Sequence, residues 1–326
     1  MNKRKRVGVI RGGPSSEREV SLKSGEAVLR ELRENLDHRY EAMDIIIDEQ
    51  GRWSIDGQPI ELAHLPLRVD VIFNALHGAY GEDGQVQKIL ESHCIPFTGS
   101  GSLASAVGMN KILTKKILLK HGLKTPYGRE LSSEEILANP QESAAELFRS
   151  FLLPAVIKPA ASGSSVGVSV VRQAGEIEPA LVSAAKHGGS VLVEEFIPGQ
   201  EATAGVLEGF RDQELYALPP VEIRPRNKFF DYEAKYAGAS EEIVPATFPD
   251  HIKRELETLA QKAHRALVLR HYSRSDFIIH PRRGIYILET NTLPGLTNES
   301  LLPKALTAVG GNLAMLVDHL LGRAML

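Results

Sequence analysis

The stretch Val7-Gly8-Val9-Ile10-Arg11-Gly12-Gly13-Pro14-Ser15-Ser16-Glu17-Arg18-Glu19 passes from strand to helix through one glycine-rich turn. Val7 to Ile10 has the apolar, β-branched texture of a buried strand. Ser16, with Glu19 three residues on, makes the pattern of a capping box, so a helix starts here and runs to about Glu34. Beyond this helix, Tyr40 to Ile47 reads as a second strand. Trp53-Ser54-Ile55 and Gln58-Pro59-Ile60 flank Asp56-Gly57 as a small hairpin. Val69 to Ala75 is another buried strand, and the loop HGAYGEDG (His77 to Gly84) leads into a helix carrying Val86, Ile89 and Leu90. This alternation predicts an α/β layer with a largely parallel sheet over residues 1–99.

From Gly99 the texture changes. Two helical stretches reach His121-Gly122, where the glycine can stop a helix. Pro154 to Lys158 and Val166 to Val171 are β-rich and flank the small-residue loop Ala160-Ala161-Ser162-Gly163-Ser164-Ser165. Further strands are expected at Val191 to Phe196, Ala202 to Leu207 and Leu215 to Ile223. Residues 224–240 lack periodicity, and their aromatic content (Phe229, Phe230, Tyr232, Tyr236) favours a lid. A helix from about Asp250 to Leu269, strands Ser273 to His280 and Gly284 to Thr290, and closing helices complete an α/β (α+β) chain.

Composition bounds the function classes. The 326 residues, 43% hydrophobic and 24% charged, are those of an ordinary globular chain of two or three domains. Lysine and arginine number 38 against 41 acids, for a net charge of −3, which argues against a nucleic-acid binder. The longest apolar run, Phe151 to Ile157, is broken by Pro154 and falls far short of the roughly 20 residues of a membrane span. The basic start, Met1 to Arg6, precedes only Val7 to Ile10, too short a segment for export, so a cytoplasmic location is expected. Cys94, the single cysteine, excludes an intrachain disulfide and reads as a small buried hydrophobe beside Ile95 and Phe97.

Two constellations could carry chemistry. If the last hairpin pairs symmetrically about Pro281-Arg282-Arg283-Gly284, Asp276 faces Glu289 and Arg274 faces Asn291, giving one polar patch. A shared cation would relieve the two acids, and oxygen-only ligands suit Mg²⁺ or Mn²⁺. A solvated sheet face with Arg274 neutralising one acid fits the spacing equally well. The second constellation is Lys158 on its strand before the glycine-serine loop, a combination suited to nucleotide phosphates, with Lys111 and Lys235 as further candidates.

Competing motifs are weaker. GSGSLA (Gly99 to Ala104) starts like a dinucleotide fingerprint, but no acid follows about 20 residues on. GSSVG (Gly163 to Gly167) matches a hydrolase elbow with Ser165 as nucleophile, yet Val166, Val168, Val170 and Val171 continue as a strand where that elbow opens a helix.

Taken together, eight ordered blocks resemble the D-alanine–D-alanine ligases of the ATP-grasp superfamily. They are GGPSSEREVSLKSG (Gly12 to Gly25), HGAYGEDG, MNK (Met109 to Lys111), VIKPAASGSSVGV (Val156 to Val168), EEFIPGQE (Glu194 to Glu201), FFDYEAKY (Phe229 to Tyr236), RSDF (Arg274 to Phe277) and LETNTLPGLTNES (Leu288 to Ser300). The resemblance implies an N-terminal α/β domain (1–99) followed by a two-lobed ATP-grasp fold (100–193 and 194–326) that holds ATP between its sheets. It implies ATP-dependent ligation of two D-alanines through a D-alanyl phosphate, for peptidoglycan precursors.

Residue by residue, the resemblance assigns Lys111, Lys158 and Lys235 to phosphates, with Ser164 and Ser165 among the ATP-binding residues. Asp276, Glu289 and Asn291 would hold two Mg²⁺ ions, with Mn²⁺ as the alternative. Glu194 would bond the adenine amino group and Glu201 the ribose, with Glu195, Phe196 and Ile197 around the base. Glu17 would bind the first D-alanine's ammonium near Val20 and His77, and Ser300 with Leu301 the second D-alanine. Arg274 and the Gly295 N–H would stabilise oxyanion charge, and Glu17, Ser164 and Tyr236 would tie the lid to the substrate. Tyr236 goes with D-alanine as second substrate in this family; D-lactate or D-serine remains the alternative. A homodimer is implied, and neither membrane nor nucleic acid is an expected partner. Lys88, His271, Ser275 and Thr290 depart from the family pattern.

Overall fold

The computed structural model describes residues 4–161, 167–225, 240–297 and 299–326. The first unit contains β1 (Lys5–Gly12), α1 (Arg18–Glu34), β2 (Tyr40–Ile47), β3 (Trp53–Ile55), β4 (Gln58–Pro59), α2 (Leu65–Arg68), β5 (Val71–Asn74) and α3 (Gln85–Ser92). Its sheet runs β4-β3-β2-β1-β5, with β1 parallel to both β2 and β5 and an antiparallel edge at β3 and β4. The hairpin is where the Asp-Gly pair puts it, with Asp56 at φ 47° and Gly57 at φ 82°.

Two local expectations need correction. Helix α1 starts at Arg18 with Glu17 as its N-cap, and no side chain caps it. Ser15, behind Pro14, builds a turn ahead of the helix: its carbonyl accepts from Arg18 N–H at 3.1 Å and its Oγ from Glu17 N–H at 3.0 Å, so Ser16 falls in the turn, one residue before the N-cap, and the Ser16–Glu19 box does not form. Cys94 is exposed, not buried. It closes α3 in the left-handed region (φ 52°), with Cys94 N–H to Glu91 O at 3.0 Å and Ile95 N–H to Leu90 O at 3.0 Å, the Schellman pattern, which turns its side chain outward and Ile95 inward.

Next come α4 (Ser102–Met109), α5 (Lys111–Lys120), β6 (Gly128–Ser132), α6 (Ser133–Ala138), α7 (Pro140–Ser150), β7 (Ala155–Pro159), β8 (Ser169–Val171), α8 (Ile177–Ala185) and β9 (Ser190–Glu195). An antiparallel sheet of order β6-β9-β7-β8 packs one face, including Ile157, Val191 and Val193, on α7 and α8. The last sheet, also antiparallel, has the order β13-β12-β10-β14-β15 with β11 beside β10. Its strands are β10 (Gln200–Glu208), β11 (Leu215–Ala217), β12 (Val221–Pro225), β13 (Ser240–Ile243), β14 (Tyr272–His280) and β15 (Gly284–Asn291). The strand expected over Leu215 to Ile223 is two strands, because Pro219 and Pro220 cannot donate to a ladder. Helix α9 (Asp250–Ala266) covers one face of this sheet through Ala202, Ala204, Phe277 and Ile287. Part of the other face, at Gly205 and Leu207, packs towards Leu302, and the rest is left for the site.

The closing helices α10 (Leu301–Thr307) and α11 (Leu313–Ala324) return to the first unit. Leu316, Val317, Leu320 and Leu321 share a core with Val28, Leu29 and Leu32 of α1, and Tyr40 OH donates to Asp318 at 2.7 Å.

His271 sits where the first unit meets the last sheet. It adopts φ 64°, a conformation glycine takes at least cost, and its buried Nδ1 accepts Gly99 N–H at 3.0 Å. Burial, with Arg270 alongside, pushes its pKa down to about 4. The Glu208 carboxylate bonds His271 N–H at 2.6 Å and lies 3.6 Å from His264; burial opposes ionisation, but these contacts bring its pKa down to about 2. Between pH 6.5 and 4 the unfolded chain binds a proton that folded His271 refuses. Stability therefore falls across that window by up to about 3 kcal/mol, and Glu208 extends the loss from pH 4.5 towards 2. His271→Asn tolerates positive φ, keeps an acceptor and cannot titrate. Melting curves of that variant should flatten between pH 6.5 and 4; an unchanged slope would assign the acid sensitivity elsewhere.

Candidate active site between two antiparallel sheets

The hairpin of β14 and β15 brings Asp276 opposite Glu289 and Arg274 opposite Asn291. The route differs from simple symmetry. Next to the turn His280 pairs with Gly284 (φ 80°), and continued pairing would set Leu288 against Asp276. A bulge between the Asp276 and Phe277 rows inserts Leu288 as an extra residue and brings Glu289 into register. Arg274 grips Asp276 with a two-pronged fork, Nε at 2.9 Å and Nη2 at 3.0 Å. Thr203 Oγ1 donates to Asp276 at 2.6 Å, and Asn291 Nδ2 does so at 3.3 Å. Burial alone would lower the Arg274 pKa; Asp276, helped by Glu289 and Glu82, outweighs it and raises the pKa further.

Opposite stand α5 and the inner face of the β7–β9 pair. Asn110 Oδ1 caps α5 by accepting from Ile112 and Leu113 N–H, and Lys111 N–H bonds Ala160 O at 2.8 Å. This fixes the helix start so that Lys111 Nζ reaches Glu289 at 3.5 Å. One turn on, Lys115 Nζ bonds Glu194 Oε1, while Lys158 Nζ lies 2.5 Å from Glu194 Oε2. Glu194 is 2% exposed. Burial opposes its ionisation, but the two ammonium groups prevail and hold its pKa below the usual range. Gly128 makes room across the ladder, since a Cβ there would lie 3.2 Å from Glu194 Cγ.

Ile197, Ile278 and Tyr286, with Leu288, make an apolar patch between the sheets. Glu201 pairs across to Ile278 on the same sheet. Phe196 N–H bonds Pro154 O at 3.1 Å. Glu195, one residue from Glu194, points away from it: its carboxylate accepts Tyr127 N–H at 3.0 Å and pairs with Arg283 at 2.8 Å.

The third wall comes from the first unit and the loop after β15. Glu17 sits at the start of α1 over Gly78, whose Cβ, were there one, would collide with Glu17 Oε2 and Ser15 Oγ. His77 is buried between Ser24 Oγ (2.9 Å) and Glu82 (3.3 Å). Ser24 also accepts Leu296 N–H at 3.5 Å, which ties the loop to α1. Val20 is 44% exposed. Ser300 precedes Leu301, the first residue of α10, and its Oγ accepts Thr297 N–H at 3.2 Å. A Cβ on Gly295 would lie 2.8 Å from Ser300 Oγ.

Ser164, Ser165, Lys235, Tyr236 and most of the expected lid (226–239) lie outside the described residues. The departures from the family pattern are accommodated. Ser275 and Thr290 face each other in the buried layer and share a hydroxyl hydrogen bond of 3.0 Å, and Lys88 is exposed on α3. Sequence reasoning missed Lys115, Thr203 and Glu82. Lys115 carried a signal, its four-residue spacing from Lys111 on one helix face.

Among the described residues no group of three or more His, Cys, Asp or Glu could hold a metal ion. Asp276, Glu289 and Asn291 nevertheless offer hard oxygen donors on one face, a set suited to an ion that takes its remaining ligands from phosphate and water. No helix is long and apolar enough to cross a membrane among the described residues.

The family model for the D-ala D-ala ligase C-terminus matches residues 117–322, and that for the N-terminus residues 6–66 and 57–100. A D-alanine--D-alanine ligase of Geotalea uraniireducens is 42% identical over 99% of this chain and 97% of its own length. One from Moorella thermoacetica is 38% identical over 98% and 99%. Among solved structures, the VanG D-Ala:D-Ser ligase from Enterococcus faecalis superposes with a TM-score of 0.86 at 29% identity, covering 99% of this chain and 100% of that one. The D-alanine-D-alanine ligase from Coxiella burnetii gives 0.82 at 25% identity, covering 99% and 94%. The fold is that of an N-terminal α/β unit followed by an ATP-grasp. The match runs the length of the chain, which belongs to the D-alanine–D-alanine ligase family.

Proposed function

We propose that this chain joins two D-alanines into D-alanyl-D-alanine at the expense of ATP, for peptidoglycan precursors. The observation that carries the reading is the convergence of Lys111 and Lys158 from one sheet system and Arg274, Asp276, Glu289 and Asn291 from the other, beside the Glu17–His77–Ser300 wall. A carboxylate oxygen of the first D-alanine attacks the γ-phosphorus, and ADP leaves. The amine of the second attacks the acyl carbon, and inorganic phosphate leaves. Little covalent chemistry falls to the protein, so positioning and charge neutralisation dominate.

In this reading Lys111, Lys158 and Lys235 take the phosphates, with Ser164 and Ser165 as further ATP-binding residues. Glu194 accepts from the adenine amino group, Glu201 from the ribose, and Ile197 and Phe196 face the base, with the Glu195 backbone beside them. Glu17, near Val20 and His77, receives the first ammonium; Ser300 and Leu301 receive the second D-alanine. Arg274 and Gly295 N–H meet the developing oxyanion, while Ser164 and Tyr236 link the lid to Glu17. Two Mg²⁺ ions, or Mn²⁺, held by Asp276, Glu289 and Asn291, would neutralise phosphate charge when bound. The unit boundaries at 99 and 193, a cytoplasmic location and a homodimer belong to the same reading.

Gly295→Ala tests the acceptor wall. The added methyl displaces Ser300 Oγ, so KM for the second D-alanine should rise about tenfold while KM for ATP stays within twofold; equal effects on both would place Gly295 elsewhere. A second reading, D-serine as acceptor, draws on the D-Ala:D-Ser ligase neighbour, but the D-alanine--D-alanine ligases of Geotalea uraniireducens and Moorella thermoacetica are nearer in sequence than it is. Product analysis with D-alanine alone, then with D-serine or D-lactate added, decides. Dipeptide from D-alanine alone supports the proposal, and a strict need for another acceptor overturns it.

A further inference from the structure

Glu194 carries more positive charge than an adenine contact needs. Its carboxylate is held by Lys115 from α5 and by Lys158 from β7, and all three side chains are less than a tenth exposed. The two lysines are not equivalent. Lys158 lies at the end of a strand that runs into the small-residue loop. Lys115 lies one helical turn inside α5, whose start is pinned by Asn110 and by Lys111 N–H to Ala160 O.

We infer that Lys115 is the fixed counterion of Glu194 and a specificity-positioning residue, keeping that carboxylate ionised when Lys158 turns to phosphate, so that the site takes 6-amino purines and rejects 6-oxo purines. The inference rests on the reading of Glu194 as the adenine contact. An ionised carboxylate only accepts hydrogen bonds, so it suits an exocyclic amino group and repels a carbonyl. With Lys158 drawn to phosphate and no Lys115, the buried carboxylate would stand without a counter-charge and would take up a proton. A protonated Glu194 can donate to a 6-oxo group, and discrimination is lost.

The experiment compares kcat/KM for ATP and ITP in the full-length enzyme with saturating D-alanine. In Lys115→Met the ATP:ITP ratio should fall at least tenfold, mostly through KM for ATP, with kcat at saturating ATP within about threefold of the parent. Lys115→Arg, which keeps the charge, should retain the ratio within threefold. Calorimetric binding of ADP and IDP to Lys115→Gln, which keeps a donor without a full charge, reads the same discrimination should the Met variant not fold. An unchanged ratio in both neutral variants overturns the inference. Glu194→Gln separates the two layers: if it leaves the ratio unchanged, the adenine reading itself fails; if it lowers the ratio while the neutral Lys115 variants do not, only the role of Lys115 fails.

Discussion

Replacing Arg274 by Met is expected to lower kcat by about 10²–10³-fold, with KM for ATP changed by only a few-fold. The side chain is 19% exposed and is held by two parallel bonds to Asp276. Its planar charge therefore stands ready before the reaction, in a setting where water screens it poorly. A transition state that builds charge on the acyl phosphate draws on that readiness, whereas the substrate ground state does so less, so the effect falls on kcat. Arg274→Lys restores a charge but not the fork, and should recover only part of the loss. Steady-state kinetics on variants whose melting curves show an intact fold would check this; a Met variant within tenfold of the parent would remove Arg274 from the chemistry.

Asp276→Asn is expected to cost about a thousandfold in kcat, and higher ATP or D-alanine should not rescue it. Arg274, Thr203 and Asn291 all converge on this carboxylate, so its loss disturbs the whole face and not one contact. Titration with Mg²⁺ or Mn²⁺ should show a weaker half-saturation in Asp276→Asn. The double variant Arg274→Met/Asp276→Asn should be about as slow as the slower single one, because the two side chains act as a unit. Full additivity would mean that they work independently, and an unaltered metal titration would detach Asp276 from the cation.

Much of this site could be read from residue order, for physical reasons that differ by element. The β1–turn–α1 passage and the hairpin at Asp56-Gly57 were legible because strand texture and turn chemistry are local properties. The pairing of Asp276 with Glu289 was legible for a partly wrong reason: the turn is offset from the assumed centre, and the bulge at Leu288 restores the register. Bulges follow from sheet packing, which residue order shows poorly. The Ser16–Glu19 cap failed because the turn built on Ser15, which accepts from Glu17 and Arg18 N–H, carries the chain past Ser16 before the helix starts at Arg18. Cys94 failed because its place after α3 outweighs its apolar character. The Lys115–Glu194 contact joins residues far apart in the chain, and only the packing of α5 on the central sheet brings them together.

ATP-driven ligation through a D-alanyl phosphate leaves an isotopic signature. The most direct measurement supplies D-alanine labelled with ¹⁸O in its carboxylate, together with ATP and Mg²⁺, and determines the label in the phosphate released. One ¹⁸O should pass to phosphate for each dipeptide formed, because the carboxylate oxygen that attacks phosphorus leaves with it. Dipeptide accompanied by unlabelled phosphate, or phosphate released without dipeptide, would contradict it.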